Sequence, residues 1–430
     1  MVMTDFTKLF EEKGIEYVQF QFTSILGEFK EVEFPAKIWE VMGEGTGIDG
    51  SSLGFLKTEQ SDMKIVPDLN TFAIIPWNNR IGRFICDITD NNGNSYSTCP
   101  RGILKSQLNK AKSLGYEFLT RPELEWYFLT NDLRPADNGS YMDIPPSDKL
   151  HELRRQISDS MMEMGIGLKT IHHEVGTGQH EIELLPYNAL YQADNVQTAK
   201  MIVKTETFYD DLIATFMPKP ISSEAGSGLH IHQYLTKDDR NIFTDEEKGI
   251  SNFLRYYIGG IQKRLDSISA ILNPTTNSYK RLIPNNEAPV YDTWGIGNRT
   301  ALIRVPGYEK SARVEYRAGD AAMNIYLGTA LLLAAGLDGI KKKIEPKDPI
   351  NANIDQLTTE ERIKLGVREL PRSLDQSLTA FKKSNFIEKV LGKELKKVFL
   401  NLKQNELEEY KKAQKAGNET SWELKKYLLC

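Results

Sequence analysis

The sequence predicts an α+β protein in two parts: a small strand-rich domain over residues 1–97 and a larger mixed domain over residues 98–430. Three observations predict it. Stretches of alternating apolar and polar residues, separated by turn residues, crowd the chain up to Thr89. Cys99-Pro100-Arg101 then opens an amphipathic helix and ends that pattern. Beyond it, helices alternate with strands that carry acids, histidines or arginines on one face.

In order, residues 4–13 read as a short helix, Tyr17–Phe22 as a strand and Gly27–Phe34 as its hairpin partner. Gly47-Ile48-Asp49-Gly50-Ser51-Ser52 holds one acid among glycine and serine, and alone it reads as a turn. Strands follow at Phe72–Pro76 and Phe84–Thr89, with a turn at Asn91-Asn92-Gly93-Asn94. After a helix over Ile103–Leu114, Tyr116–Leu129 is a strand. Its Glu123 and Glu125 share a face, while Leu124, Trp126 and Phe128 point the other way into apolar packing. Tyr141–Pro146 is a loop, Lys149–Met164 a helix and Ala189–Ala214 a long helix. Gly226–His232 reads as a strand with His230 and His232 on one face. Asn273–Pro289 is polar, bounded by prolines and too long for a plain turn, the kind of loop that covers a site. Arg313–Arg317 alternates, so both arginines and Glu315 share a face. Ala330–Lys343 is a core helix, and from about residue 376 the chain is helical and highly charged, as a structural or inter-subunit region would be.

One stretch concentrates the chemistry. Ile171–Glu183 holds His172, His173, Glu174, His180, Glu181 and Glu183, with Gly176-Thr177-Gly178 between two apolar-flanked arms. It reads as strand, tight turn, strand. Alternation puts His172 with Glu174 on one arm and Glu181 with Glu183 on the other, and turns His173 towards the core. Of the six histidines only His151 lies outside this hairpin and the strand after Gly228. Glutamates on strands built for burial need cations to neutralise them. Glu123, Glu125, Glu174, Glu181, Glu315 and His230 form an oxygen-rich set, which suits Mg²⁺ or Mn²⁺ better than a closed zinc site. Arginines at 281, 299, 304, 313 and 317 add anion-binding forks. Acids with arginines suggest metal-dependent phosphoryl transfer, although no P-loop or kinase-type glycine loop is present.

The totals exclude other classes. The chain has 430 residues, 40% hydrophobic and 26% charged, with a net charge of -5, which argues against nucleic acid as a partner. Cys86, Cys99 and Cys430 lie far apart and fit a reducing cytoplasm without a disulfide framework. The acids near the N-terminus do not fit a secretion signal, and no apolar run is long enough to span a bilayer.

These motifs together resemble the type I glutamine synthetases. The match runs from Asp49-Gly-Ser-Ser through Glu123-x-Glu125, His172-His173-Glu174-Val175, Gly226-Ser227-Gly228-x-His230, Asn273–Arg281, Asn298-Arg299 and Arg313–Arg317 to Trp422-Glu423. The resemblance implies an N-terminal β-grasp domain and a catalytic domain whose antiparallel strands line a funnel-shaped active site. It also implies a homo-oligomeric dodecamer of two hexameric rings with active sites between subunits, and it leaves any small regulatory protein unknown. Two or three Mg²⁺ or Mn²⁺ ions would bind per site, one on Glu125, Glu174 and Glu181 and another on Glu123, His230 and Glu315. Glutamate would meet Arg281, Arg317 and Gly226. ATP would meet His172, His232, Arg304, Lys310 and Arg313. Asp49, Ser52, Asp62, Tyr141 and Glu174 would form the ammonium pocket, with Asp49 taking its proton, while Arg299 stabilises the phosphoryl group and Glu287 closes as a flap.

The chain departs from the family pattern in places. Ala225 stands where asparagine is usual, Tyr234 where serine is typical, and Asn285-Asn286-Glu287 replaces Gly-Tyr-Glu. Asp355 occupies the position of the tyrosine that some members adenylylate, so that control is not expected. Lys57 lies where some relatives carry an arginine linked to feedback. A γ-glutamyl ligase for a larger amine and a catalytically silent paralogue are the alternatives, and the complete acid and arginine sets oppose the latter.

Overall fold

The structure, a computed structural model, describes residues 5–53, 61–90, 92–247, 249–284, 288–307 and 311–429. Its first sheet contains β1 (Tyr17–Thr23), β2 (Phe29–Pro35), β3 (Thr46–Asp49), β4 (Asp62–Pro67), β5 (Ala73–Ile75) and β6 (Asn78–Thr89), in the order β2-β1-β6-β4-β3 with β5 on β6. The β1–β2 hairpin forms as expected, and Gly27 takes a φ of 93° at its turn, a conformation that favours glycine. β1 and β6 run parallel at the centre. The helix Phe6–Lys13 is capped by Asp5, which accepts from the Lys8 N–H at 3.2 Å. It delivers Phe6 and Phe10 to an aromatic cluster with Trp39, Phe72 and Phe84. This is the β-grasp domain. The strand β3 lies in the segment expected as a turn. Four residues including Gly47 carry too little alternation to announce a strand, and the pairing with β4 supplies it.

The second sheet contains β7 (Glu117–Leu129), β8 (Leu168–His173), β9 (Gln179–Leu184), β10 (Tyr187–Asn188), β11 (Ile213–Thr215), β12 (Leu229–Lys237), β13 (Arg240–Asn241), β14 (Trp294–Ile296), β15 (Ile303–Val305) and β16 (Val314–Tyr316). Its path is β14-β15-β16-β12-β7-β9-β8, with β10 and β11 on β7 and β13 on β12. All its pairings are antiparallel except β14–β15. β7 sits centrally and is buried on both faces: Leu124, Trp126 and Phe128 on the apolar side, Glu123 and Glu125 on the other. The helices Pro100–Ser113 and Ala189–Tyr209 pack against it.

Three expected boundaries move. The long helix ends at Tyr209, not Ala214, because Asp211 turns the chain at φ 57° and Ile213–Thr215 returns as β11 on β7. The core helix starts at Ile325, where Asn324 accepts from two backbone N–H groups, and runs to Lys342. The described part of Asn273–Pro289 is not an exposed cover: it is largely buried and contains one helical turn, Ser278–Arg281. Its polar side chains turn inward to hydrogen bonds, as Asn273 does to Ala318 O at 2.7 Å. Among the described residues no helix is long and apolar enough to cross a membrane.

The two parts share a charged seam. Buried Arg101 reaches Asp68 at 2.8 Å and Asp87 at 2.9 Å in the first part, and Asp194 on helix Ala189–Tyr209 at 2.9 Å. Burial disfavours the Asp68 carboxylate, yet Arg101 and Lys105 outweigh it and lower its pKa. A lowered folded-state pKa adds stability that is full above the ordinary aspartate range and is lost as pH falls through the folded value. Arg101→Met should therefore lower the unfolding free energy by about 3 kcal/mol near pH 7, because Asp194 stays buried without its cation. Denaturant unfolding checks this, and the loss should shrink as pH falls from the ordinary aspartate range through the lowered folded-state value of Asp68. An undiminished loss there would refute the electrostatic account.

Candidate active site

Strand register builds the site in rows, since residues directly opposite on neighbouring antiparallel strands share a face. The first row runs His172 on β8, Glu181 on β9 and Glu125 on β7. The second runs Glu183, Glu123 and His230 across β9, β7 and β12. The third runs Arg121, His232, Glu315 and Arg304 across β7, β12, β16 and β15. Alternation along each strand stacks the three rows on one face.

Within this face, Glu123, His230 and Glu315 bring one ligand atom each within 4.8 Å of the others, and so do His172, Glu174 and Glu181. The first group is the set expected from the resemblance. In the second, His172 takes the place expected for Glu125: its Nε2 lies 3.1 Å from Glu174 Oε1. Glu125 is close by, 3.8 Å from His230, and its Oε2 accepts from the Gly228 N–H at 2.8 Å and from Gln179 at 3.2 Å. Gly228 permits this approach, because a Cβ there would lie 2.7 Å from Arg281 Nη2.

The electrostatics separate the acids. Burial opposes charge on Glu123, but His232 and His230 outweigh it and hold the carboxyl well below its usual range. For Glu315, burial is outweighed by Arg317 and His232, which lower it to about 2. Glu181 is pushed well above the usual range by burial and then by Glu123, Glu125 and Glu174. It shares a hydrogen bond with Glu174, which burial opposes but His172 and this bond lower. A face that crowds so many buried acids that one is pushed well above its usual range fits a hard divalent cation.

Other expected residues are found as follows. Arg281 is buried and donates to Ala318 O at 2.8 Å and Arg317 O at 3.3 Å. Arg317 pairs with Glu315. The Nε atoms of Arg281 and Arg317 are buried without a hydrogen-bond partner, as are those of Arg83 and Arg154 away from the site. Gly226 packs on Arg281, where a Cβ would come within 2.6 Å of Cγ. Arg304 donates to Glu315 at 2.7 Å. Tyr141 stands edge-on to His172 with ring centroids 5.5 Å apart, and exposed Arg299 reaches its hydroxyl. Two nucleotide assignments meet a different setting. His232 and Arg313 are fully buried, with Arg313 Nε donating to His232 Nδ1 at 2.9 Å and His232 Nε2 on Glu123. Here they form a supporting layer beneath the buried Glu123, Arg313 holding the His232 ring whose Nε2 meets the carboxylate.

Asp49, Ser52 and Asp62 stand apart on the first sheet, where Asp49 pairs opposite Asp62. Asp49 accepts from Ser52 Oγ at 2.6 Å and Ser51 Oγ at 2.7 Å, which hold its pKa at about 2. Glu287 and Lys310 lie outside the described residues, as do Lys57, Asn285 and Asn286. Ala225 contributes its carbonyl, which accepts from the Tyr127 hydroxyl at 2.6 Å.

Sequence reasoning missed a buried cluster below the hairpin. Asp137 Oδ1 lies 3.0 Å from His173 Nε2 and accepts from the Gly178 N–H at 2.9 Å. Arg154 lies 2.7 Å from His180 Nδ1 and donates to Asp148 at 2.6 Å. Arginine only donates, so His180 Nδ1 accepts and its Nε2 carries the proton, facing Asp137 Oδ2 at 3.6 Å. Burial holds His180 neutral with a pKa of about 4. That neutral ring, its Nδ1 taken by a guanidinium and its Nε2 proton turned to Asp137, is no cation site; the cluster braces the turn that presents Glu174. Asp137 sits in an Asp-Asn-Gly stretch that reads only as a turn, so nothing local marked it.

Fold and site together define a ligase that uses nucleotide and divalent metal. The family description "Glutamine synthetase, catalytic domain" matches residues 97–427, and "Glutamine synthetase, beta-Grasp domain" matches residues 14–91. The chain is 39% identical to the glutamine synthetase of Thermotoga maritima over 442 aligned positions, covering 100% of both chains. It is 38% identical to that of Methanosarcina mazei, covering 99% of this chain and 97% of the relative. Among solved structures, a GmaS complex with ADP superposes with a TM-score of 0.89 at 29% identity, covering 100% of both chains. The chain belongs to the glutamine synthetase family.

Replacing Glu181 by Gln removes one of the crowded charges. The metal-free protein should keep or raise its thermal midpoint, while the Mg²⁺ or Mn²⁺ concentration for half-maximal stabilisation should rise about tenfold or more. Melting curves across a metal titration test this, and an unchanged metal dependence would remove Glu181 as a ligand.

Proposed function

We propose that the protein ligates ammonia to the side-chain carboxylate of L-glutamate with ATP, giving L-glutamine, ADP and phosphate, in the cytoplasm. The observation that carries this reading is the joining of two carboxylate clusters with the buried guanidiniums of Arg281 and Arg317 on one sheet face. It supplies charge for a nucleotide phosphate and for an acidic substrate at once. The full-length identity to glutamine synthetases supports ammonia as the amine.

Glu123, His230 and Glu315 would hold one Mg²⁺ or Mn²⁺, and Glu125, Glu174 and Glu181, with His172 beside them, would hold another. Bound there, such ions polarise the γ-phosphate and offset its charge. Arg281, Arg317 and the Gly226 backbone orient glutamate. A γ-carboxylate oxygen attacks the γ-phosphorus and the bond to ADP breaks, because a free carboxylate is too poor an electrophile for ammonia. Arg299, exposed beside Tyr141, donates to the phosphoryl oxygens as charge develops. Ammonia nitrogen then attacks the acyl carbon and phosphate leaves. Arg304, His172 and Lys310 serve the nucleotide, and Glu287 closes over the site. Asp49, Ser52 and Asp62 lie on the first sheet, which supports their delivery from a neighbouring subunit in a dodecamer of two hexameric rings. There they would meet Tyr141 and Glu174, and Asp49 would take the ammonium proton. The domains are proposed to divide between residues 97 and 98.

A second reading has a specific observation behind it. GmaS, a γ-glutamylmethylamide synthetase, superposes over the whole chain, and Ala225, Tyr234, Asn285 and Asn286 depart from the glutamine synthetase pattern. A small alkylamine would then replace ammonia. Phosphate release from Mg-ATP and glutamate, compared between ammonium, methylamine, ethanolamine and polyamines, decides. Ammonium should exceed each amine by about a hundredfold in kcat/KM. Selective turnover of methylamine would install the second reading.

A further inference from the structure

The segment Thr276–Arg281 has partners far along the chain. Glu423, on the helix Glu419–Tyr427, is 1% exposed and carries its carboxylate against this segment. Its Oε1 accepts from Thr276 Oγ1 at 2.8 Å. Its Oε2 accepts from Asn277 Nδ2 at 3.0 Å and pairs with Lys280 Nζ at 2.8 Å. Every named partner lies within five residues of Arg281 on one stretch of chain.

Asn277 passes the constraint on. Its Oδ1 accepts from the Lys219 N–H at 2.7 Å and its Nδ2 also donates to Lys219 O at 3.1 Å. Next to Lys219, Pro218 O accepts from the Ser227 N–H at 2.9 Å, and that carbonyl lies 2.8 Å from where a Gly226 Cβ would stand. The two elements assigned to glutamate are thus linked to one carboxylate, Arg281 as the chain neighbour of Lys280 and the Gly226 backbone through Asn277, Lys219, Pro218 and Ser227. A buried acid is a poor choice for stability alone, since an apolar side chain of similar volume packs as well or better. Its advantage is directional: two oxygens define where Thr276, Asn277 and Lys280 sit.

We propose that Glu423 is a positioning residue for the glutamate pocket, setting the separation of Arg281 from Gly226 through Thr276, Asn277 and Lys280. This rests on the reading of the site given under Proposed function and deepens it. Among the described residues the hydrogen-bond and ion-pair partners of the Glu423 side chain are Thr276, Asn277 and Lys280, none of them assigned to nucleotide or metal, so its effect falls on one substrate.

The test uses the full-length chain. Glu423→Gln keeps the shape but replaces one acceptor by a donor facing Asn277 and Lys280. It should raise KM for glutamate about tenfold while kcat at saturating glutamate stays within about threefold and KM for ATP within about twofold. Thr276→Val, which loses only a hydroxyl, should raise glutamate KM about threefold, and Thr276→Ser should restore it. Should Glu423→Gln fail to fold, the Thr276 pair decides alone. An unchanged glutamate KM in a folded variant, or equal changes for glutamate and ATP, would overturn the proposal while wild-type turnover upholds the reading of the site. A wild-type chain that turns over no amine with glutamate would sink both.

Discussion

Repulsion among five glutamates on one sheet face is the constraint that orders this protein. Glu123, Glu125, Glu174, Glu181 and Glu315 come from β7, the β8–β9 turn, β9 and β16, and all are buried or nearly so. Two charges about 4 Å apart are worth roughly 4 kcal/mol at the effective dielectric near a protein surface, several times the net value of about 1 kcal/mol for a hydrogen bond. Hydrogen bonding alone therefore cannot hold such a face together. The chain answers with guanidiniums and a histidine hydrogen bond beneath and beside it: Arg121 and His232 on Glu123, with Arg313 behind His232, and Arg304 and Arg317 on Glu315. Among the described residues Glu181 has no such cation, its neighbouring acids push its pKa up, and it marks where cations from outside complete the balance.

The chemical division of labour follows the mechanical one. In the proposed reaction, the acids assigned to phosphoryl transfer sit mostly on paired strands whose register leaves little freedom. The groups expected to select the amine sit on the Asp49 turn of the other sheet and on the exposed loop around Tyr141. A change of amine needs only the rim to change, while the sheet face stays fixed by its own charges.

Alternation made the site legible. Glu123, Glu125, Glu181, His230 and Glu315 announce themselves because a strand that hides Leu124, Trp126 or Ile182 on one side has no ordinary reason to carry acids on the other. The resemblance added order to that list. What stayed hidden depends on distance along the chain. β3 is four residues long and exists through pairing with β4. His180 became intelligible only with Arg154 and Asp137 around it. The inward collapse of Asn273–Arg281 was invisible because its polar residues are satisfied by Ala318, Lys219 and Glu423, none of them near in sequence.

That last dependence has a consequence in time. Residues are joined in order at the ribosome, so Arg281 and Gly226 emerge long before the helix that bears Glu423. The sheet face can be assembled by then, yet Thr276, Asn277 and Lys280 still lack the acid that holds them. A chain released early would carry its carboxylates and arginines without this brace on the glutamate pocket. Among the contacts described, the brace on the glutamate pocket is thus one of the last that the emerging chain can complete.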